Sequence, residues 1–457
     1  MVRGGPGSGK TILGTHFLAQ SASRGEPTLL ITFGESEAQL RRNAERLGFS
    51  TDGISYLDLS PDSSYFAQGQ EYDIFPPSEV ERDPITTRIR NEVSALRPVR
   101  VFVDGLTQLR HLTATPFQFR KETLAFLRFL CEIGATILFS SESNEAPDED
   151  LQFIADAVID LDFTGTRRHV SVTKFRGSDF RPGRHTLRLG DGGMTVFPRL
   201  LPDEFSLDFE PDRIPFGIPE IDQLTGGGLE RGAISILTGP SGVGKTTLGM
   251  QFTSEAARRG ERSVVYVFEE SRTSLIRRCA QVGIPLQDLI ADGRLTIVHV
   301  EPLRYTADEF ALMVREEVEQ RKARIVMIDS VSGYSLSLHD EDLVTHLHGL
   351  AKYLQNMGIA VLLINEVEAV IGDFRVTDVG VSYMADNIVF LRYLELGGQM
   401  AKAIGVLKKR LGDFEKTLRE VQITGDGIRL GASLKGLRGI LGGVPVWDHP
   451  PREKDTD

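Results

Sequence analysis

Short apolar, β-branched runs alternate along this chain with amphipathic stretches. The pattern predicts strands of a mostly parallel sheet covered by helices on both faces. The clearest strand runs are Ala233 to Thr238, Ser263 to Phe268, Arg324 to Ile328 and Ala360 to Ile364. Thr306 with Glu309 three residues on reads as a capping box, after which Phe310, Val314 and Val318 line one helix face. A proline- and acid-rich stretch from Pro198 to Pro215 breaks the alternation and predicts a solvated linker.

The alternation occurs twice, and the two copies match in sequence. GGPGSGKT from Gly4 answers GPSGVGKT from Gly239, and LLITFGESEAQLRRNAERLGF from Leu29 answers VVYVFEESRTSLIRRCAQVGI from Val264. RVFVDGLT from Arg100 pairs with RIVMIDSVS from Arg324, GATILFSSE from Gly134 with GIAVLLINE from Gly358, IADAVIDL from Ile154 with MADNIVFL from Met384, and TKFRG from Thr173 with LKKRL from Leu407. Lys245 follows Lys10 by 235 positions, Asp329 follows Asp104 by 225 and Arg410 follows Arg176 by 234. Offsets that drift so little mean a duplication. The expected organisation is α/β: a first domain over 1–200, a linker over 201–214, a second domain over 215–435 and a tail over 436–457.

Composition narrows the class. No apolar run approaches the roughly 20 residues a membrane helix needs, and MVRGGPGSGK lacks the apolar core of a signal peptide; a cytoplasmic protein is expected. Two cysteines, Cys131 and Cys279, cannot build a disulfide framework or a metal cage and read as core filler. The net charge of -12 opposes indiscriminate binding to a nucleic-acid backbone. His339, His346 and His348 do not share a helix face as a set, so they read as surface rather than as a metal site.

The pattern Gly-four residues-Gly-Lys-Thr, present twice, is a phosphate-binding loop. Its glycines let backbone N–H groups curl round phosphates at a helix N-terminus, its lysine neutralises the outer phosphates, and its threonine hydroxyl holds magnesium. The nucleotide-binding candidates are Gly4, Gly7, Gly9, Lys10 and Thr11 in the first copy, and Gly239, Ser241, Gly242, Gly244, Lys245, Thr246 and Thr247 in the second. ATP and Mg2+ are the expected cofactors. The first loop starts three residues into the chain, so the strand that should deliver it is expected to be missing. Asp104 and Asp329, each ending an apolar strand, are candidates with Thr11 and Thr246 for the magnesium shell. Ser141 and Asn365 end the next strand and read equally as γ-phosphate sensors or turn residues. Glu269 and Glu270 follow the strand after the second loop, where one of them can orient or deprotonate the attacking oxygen. The first half has Gly34 and Glu35 there; if the first glutamate is the base, that half hydrolyses ATP slowly.

Taken together these residues resemble the KaiC family of two-domain, RecA-like P-loop NTPases, which includes the cyanobacterial clock protein. PFGIPEIDQLTGGGLERG from Pro215, FEESR from Phe268 and RGILGGVP from Arg438 carry the likeness, which spans Gly4 to about Pro445. It implies tandem RecA-like domains, a double-ring hexamer with ATP at each interface, weak ATPase activity and autophosphorylation by the second ring. The family's Lys-x-Arg residues, which reach the neighbour's phosphates, match Lys174 and Arg176, and Lys408 and Arg410. The family's Ser-Thr acceptor pair matches Ser382 and Tyr383, so serine is retained and tyrosine replaces threonine, whereas the first half has Gln152 and Phe153. The end of the chain, Trp447 and PPREKDTD, resembles the tails that bind regulators in that family and is expected to be a flexible end with one anchor.

Two rival readings share the fold. A nucleic-acid motor would need basic, glycine-rich loops after the Asp329 strand, but SVSGYSLSLHDEDL from Ser330 is acidic, so nucleic acid is not expected as a partner. A nucleotide-gated scaffold would bind ATP without turning it over. Protein-kinase chemistry of the His-Arg-Asp and Asp-Phe-Gly kind is excluded by the lack of both segments.

Overall fold

The computed structural model describes residues 1–60, 79–108, 115–142, 151–165, 167–336, 343–367, 381–396, 398–438 and 446–447. His339, part of the acidic segment after Ser330, the first half of the acceptor segment, most of RGILGGVP and the terminal PPREKDTD lie outside them. The chain divides into two compact units, Met1–Arg199 and Leu200–Asp457.

In the first unit the strands are β1 (Val2–Gly4), β2 (Thr28–Thr32), β3 (Ile54–Asp58), β4 (Arg100–Asp104), β5 (Thr136–Ser141), β6 (Ala157–Thr164), β7 (Arg167–Phe175), β8 (His185–Gly190) and β9 (Gly193–Phe197). Helices α1 (Lys10–Ala22), α2 (Glu37–Arg46), α3 (Glu79–Leu96), α4 (Pro116–Glu132) and α5 (Leu151–Ile154) connect them. The sheet order is β3-β2-β4-β5-β1-β6-β7-β8-β9, parallel from β3 to β6 and antiparallel beyond. Its cores lie on the two faces, one around Leu29, Val101 and Leu130 and the other around Val2, Leu18 and Phe102.

The strand expected to be missing before the first loop is present. Three residues suffice because β1 is central: Val2 is fully buried and pairs with Ser140 on one side and Ile159 on the other. The Met1 nitrogen donates to the Ala157 carbonyl at 2.9 Å, beside the pairing of β1 with β6.

The second unit repeats the topology. Its main sheet comprises β12 (Ile234–Gly239), β13 (Ser263–Val267), β14 (Leu295–His299), β15 (Ile325–Asp329), β16 (Ala360–Glu366), β17 (Asn387–Leu396), β18 (Gln399–Lys409), β19 (Arg419–Thr424) and β20 (Gly427–Ser433), after a small ladder of β10 (Arg213–Ile214) and β11 (Leu229–Glu230). The order β14-β13-β15-β16-β12-β17-β18-β19-β20 is the first sheet's order position for position. The helices are α6 (Pro219–Leu224), α7 (Lys245–Arg258), α8 (Arg272–Gln281), α9 (Gln287–Ala291), α10 (Ala307–Glu319), α11 (Val331–Leu336) and α12 (Leu343–Asn356). On α10 the capping box forms, with the Thr306 hydroxyl accepting from the Glu309 N–H and the Glu309 carboxylate from the Thr306 N–H, and Phe310, Val314 and Val318 are buried.

The join between the units is largely exposed, from Asp203 to Arg213, with a few anchoring contacts. From Leu200 on it lies against the second unit: Leu200 and Phe205 pack on that unit's core, the Leu207 N–H donates to Asn356 O at 3.0 Å, and the Phe205 ring lies beneath Arg315. Leu200 and Phe205 are its anchors, while Leu207 and Phe209 stay exposed. Cys131, expected as core filler, is exposed on α4 because it falls on the outer side of that helix; Cys279 is buried, and burial pushes its thiol up to about 11. Among the described residues no helix is long and apolar enough to cross a membrane.

Candidate nucleotide site

In the second unit β12 lies between β16 and β17, with α7 beginning beyond its C-terminal end. The loop between them turns through Gly242 (φ 73°) and Gly244 (φ 116°), left-handed conformations open to glycine. A Cβ at Gly239 would collide with the Leu391 carbonyl. The loop is braced from the neighbouring hairpin: Tyr393 donates to Ser241 O at 3.2 Å and Lys402 to Gly242 O at 3.1 Å.

Lys245 opens α7, 6% exposed, donating to Pro240 O at 2.8 Å and lying 3.8 Å from Glu366. Burial lowers its pKa, opposed by Glu366, Asp329 and Glu269. Three carboxylates around one lysine leave room for a further cation. Asp329 ends β15, hydrogen-bonded to the Thr246 side chain, and Ser330 donates to Glu269 Oε1 at 2.9 Å. Hydroxyl and carboxylate are the hard oxygen donors magnesium takes, with phosphate oxygens and water completing its shell. This is compatible with the lack, among the described residues, of any cluster of three or more His, Cys, Asp and Glu able to hold a metal.

The two glutamates point to different partners. Glu270 is gripped by Arg278, through Nη2 at 2.6 Å and Nε at 3.3 Å, and by the Ser274 hydroxyl at 2.7 Å. Burial pushes the Glu270 carboxyl up, but those hydrogen bonds outweigh it and the net shift is downward. Glu269 is left facing Ser330 and Lys245.

Burial, reinforced by Glu269, pushes the Asp329 carboxyl up to about 6 despite the opposing Thr246 hydrogen bond and the Arg278 and Lys245 charges. An unfolded aspartate titrates near 3.9. The folded protein therefore binds the proton more tightly, and stability falls as pH rises from about 4 to 6. Asp329→Asn is expected to raise the melting temperature of the nucleotide-free protein at pH 8 and to give little gain at pH 4.5. Equal shifts at both pH values in thermal melts would contradict the assignment.

The first unit repeats the frame with different chemistry. Lys10 donates to Gly4 O at 2.7 Å and Gly5 O at 3.1 Å, and Gly7 and Gly9 take φ of 72° and 107°. Ser140, rather than Ser141, donates to Asp104 at 2.7 Å. A cavity of about 440 Å³ opens over Gly7 to Thr11, with Leu40, Leu47 and Phe49 as an apolar wall. The buried Ser8 hydroxyl has no hydrogen-bond partner within this loop, as expected where an anion's oxygens would accept from it. Glu35 takes a hydrogen bond from Asn43 at 3.2 Å, and burial with Asp104 raises its pKa. Gly34 stands where the second unit has Glu269.

The Lys-x-Arg residues lie away from their own loops. Arg410 donates to Asp386 and to Tyr383 O, both at 3.2 Å, and Asp386 also accepts from the Ile234 N–H at the start of β12. Asp386 therefore sits at the opposite end of β12 from Gly239, roughly 17 Å along the strand at about 3.3 Å per residue, and Ser382 lies four residues before it in sequence. Lys408 is on the same strand end, its pKa lowered first by burial and then by Arg410. The first unit matches: Arg176 donates to Asp156 at 3.1 Å and Phe153 O at 3.3 Å, and Lys174 to Gln152 O at 2.7 Å. Tyr383, 53% exposed, stacks on His348, which is exposed. Asn365 is buried, donating to Thr238 at 3.2 Å, which favours a role in holding β12.

Sequence reasoning missed the braces on the loops. Arg168 donates to Gly7 O at 3.1 Å and lies over Phe163, its cross-strand partner, as Lys402 pairs with Tyr393 across β17 and β18. The recurrence of a basic residue opposite an aromatic at matching positions of both copies was the available signal.

A family model described as "ATPase: KaiC" matches residues 1–200 and 214–435. The chain belongs to the KaiC family of ATPases. It is 28% identical to the circadian clock oscillator protein KaiC of Parasynechococcus marenigrum (strain WH8102), over 97% of this chain and 88% of the relative. Identity is 28% to the circadian clock oscillator protein KaiC of Prochlorococcus marinus (strain MIT 9313), over 97% and 91%, and 27% to the circadian clock protein KaiC3 of Synechocystis sp. (strain ATCC 27184 / PCC 6803 / Kazusa), over 98% and 90%. Nucleotide binding and P-loop ATPase activity follow for the chain as properties of the KaiC family.

Proposed function

We propose that the chain assembles into a homo-oligomeric ring, a hexamer on the KaiC pattern, which binds ATP with magnesium between subunits and phosphorylates Ser382 from the neighbouring subunit's second site. One observation carries the reading: Ser382, Lys408 and Arg410 sit at the end of the second sheet remote from their own phosphate loop. They can meet a terminal phosphate only if another copy brings one. Thr246 and Asp329 would hold the magnesium, which neutralises charge on the terminal phosphates.

The neighbour's Glu269 accepts the proton of the attacking oxygen. When that oxygen is water, phosphate and ADP leave. When it is Ser382 Oγ, an O–P bond forms to the γ-phosphorus as the bond to the β,γ-bridging oxygen breaks, giving phosphoserine and ADP. Lys408 and Arg410 orient the phosphates. The names of the relatives, circadian clock proteins, support a timing role for such a ring; the C-terminal tail would be the docking segment for regulators.

Light scattering with and without ATP and magnesium, run beside labelling with γ-labelled ATP, tests this. Nucleotide-dependent assembly and a label lost in Ser382→Ala are expected. A monomer that hydrolyses ATP, or a label that persists in the alanine variant, would refute the interface or the acceptor respectively.

A further inference from the structure

The two nucleotide sites differ at a position with no role so far. On α8, Arg278 uses Nε and Nη2 to grip Glu270 and leaves Nη1 3.4 Å from the Thr247 hydroxyl. Thr247 is buried in the first turn of α7, one residue beyond the Thr246 that bonds Asp329. The guanidinium thus lies along the wall of the phosphate loop, held on one side by the Glu270 carboxylate and on the other only by the long Nη1 bond to the Thr247 hydroxyl.

The duplication shows what this position faces. Arg278, Glu270 and Thr247 each follow Asn43, Glu35 and Ile12 by 235 positions, the offset of Lys245 from Lys10. In the first unit Ile12, Glu35 and Asn43 all line the cavity over the phosphate loop. The equivalent surface of the second unit therefore carries a cation and a hydroxyl where the first carries an amide and a sec-butyl group. A guanidinium tethered to a carboxylate is preorganised to donate to a phosphate oxygen, since the tether removes much of the side chain's rotamer freedom.

We propose that Arg278 is a phosphate-binding residue of the second site alone, positioned by Glu270 so that Nη1 reaches the nucleotide's phosphates beside Thr247. The assignment rests on the reading of the second loop as a nucleoside-triphosphate site and deepens it. Arg278 makes the two sites unequal in affinity for phosphorylated ligands, and it turns Glu270 into a positioning residue rather than a base.

The test uses the full chain with Lys10→Ala, so that the second site is read alone. ATP, ADP and adenosine compete against a fluorescent ATP analogue. Arg278→Asn, which installs the first site's residue, is expected to weaken ATP and ADP about tenfold, the loss of one charge-assisted hydrogen bond, and to leave adenosine within about twofold on the same reasoning. Arg278→Lys, which keeps the charge but loses the fork, should fall between. The Arg278 side chain is 39% exposed, so both variants are expected to fold. Unchanged ATP affinity in Arg278→Asn, or an equal loss for adenosine and ATP, would overturn the assignment while leaving the site intact. Failure of the Lys10→Ala parent to bind ATP at all would overturn the site and the assignment together.

Discussion

Glu269→Gln is expected to lower ATP turnover by about 10²- to 10⁴-fold, the range for loss of a general base, with little change in ATP affinity. Amide and carboxylate are nearly isosteric, so the Ser330 hydrogen bond to this position survives and the loop beside it is undisturbed. On the proposed mechanism, what disappears is the proton acceptor. Glu270 cannot substitute, because Arg278 and Ser274 occupy its oxygens and hold its carboxyl below the usual range, which makes it a weak base. Glu270→Gln should therefore cost turnover much less than Glu269→Gln does. Single-turnover hydrolysis with calorimetric binding on each variant separates the two; equal losses in kcat would show that the base role is shared.

How far the sequence anticipates this arrangement depends on how local the signal is. The α10 capping box and the positions of β12, β13, β15 and β16 were legible to within two residues, because hydrophobic period and cap chemistry are written into adjacent residues. The tight turn from β12 into α7 was legible because glycine spacing dictates backbone shape. Where reasoning failed, long-range contacts decided the outcome. Three residues at Val2–Gly4 suffice as a strand only because two neighbours bracket them, and Phe205 becomes a packing residue only because the second unit offers a surface. The split between Glu269 and Glu270 depends on Arg278, eight positions beyond Glu270 and on the next helix. Buried Lys409 illustrates the same limit: side-chain exposure of 2% and an ion pair to Glu230 at 2.7 Å make it structural, while Lys408 and Arg410 on either side read identically in sequence.

The duplication makes the chain its own control, and Lys245→Ala and Lys10→Ala should have very different effects. Lys245 is buried and Lys10 half-buried beside its loop, and each would neutralise the outer phosphates of its own nucleotide. Only the second site has a carboxylate at the Glu269 position, so Lys245→Ala should remove nearly all turnover, about 10²-fold or more if the base contributes as usual. Lys10→Ala should leave most of it and instead lower the nucleotide bound per chain from two to one. Backbone space at Gly34 permits the reciprocal change, since a Cβ there would meet no atom within 4 Å. Gly34→Glu in the Lys245→Ala background is accordingly expected to restore hydrolysis in the first unit, where Lys10, Thr11 and Asp104 are already in place. Rates measured on the purified variants, with bound nucleotide counted after rapid gel filtration, decide the matter. Full turnover in Lys245→Ala without the added glutamate would mean that the first site has another base, with Glu35 the residue to test next.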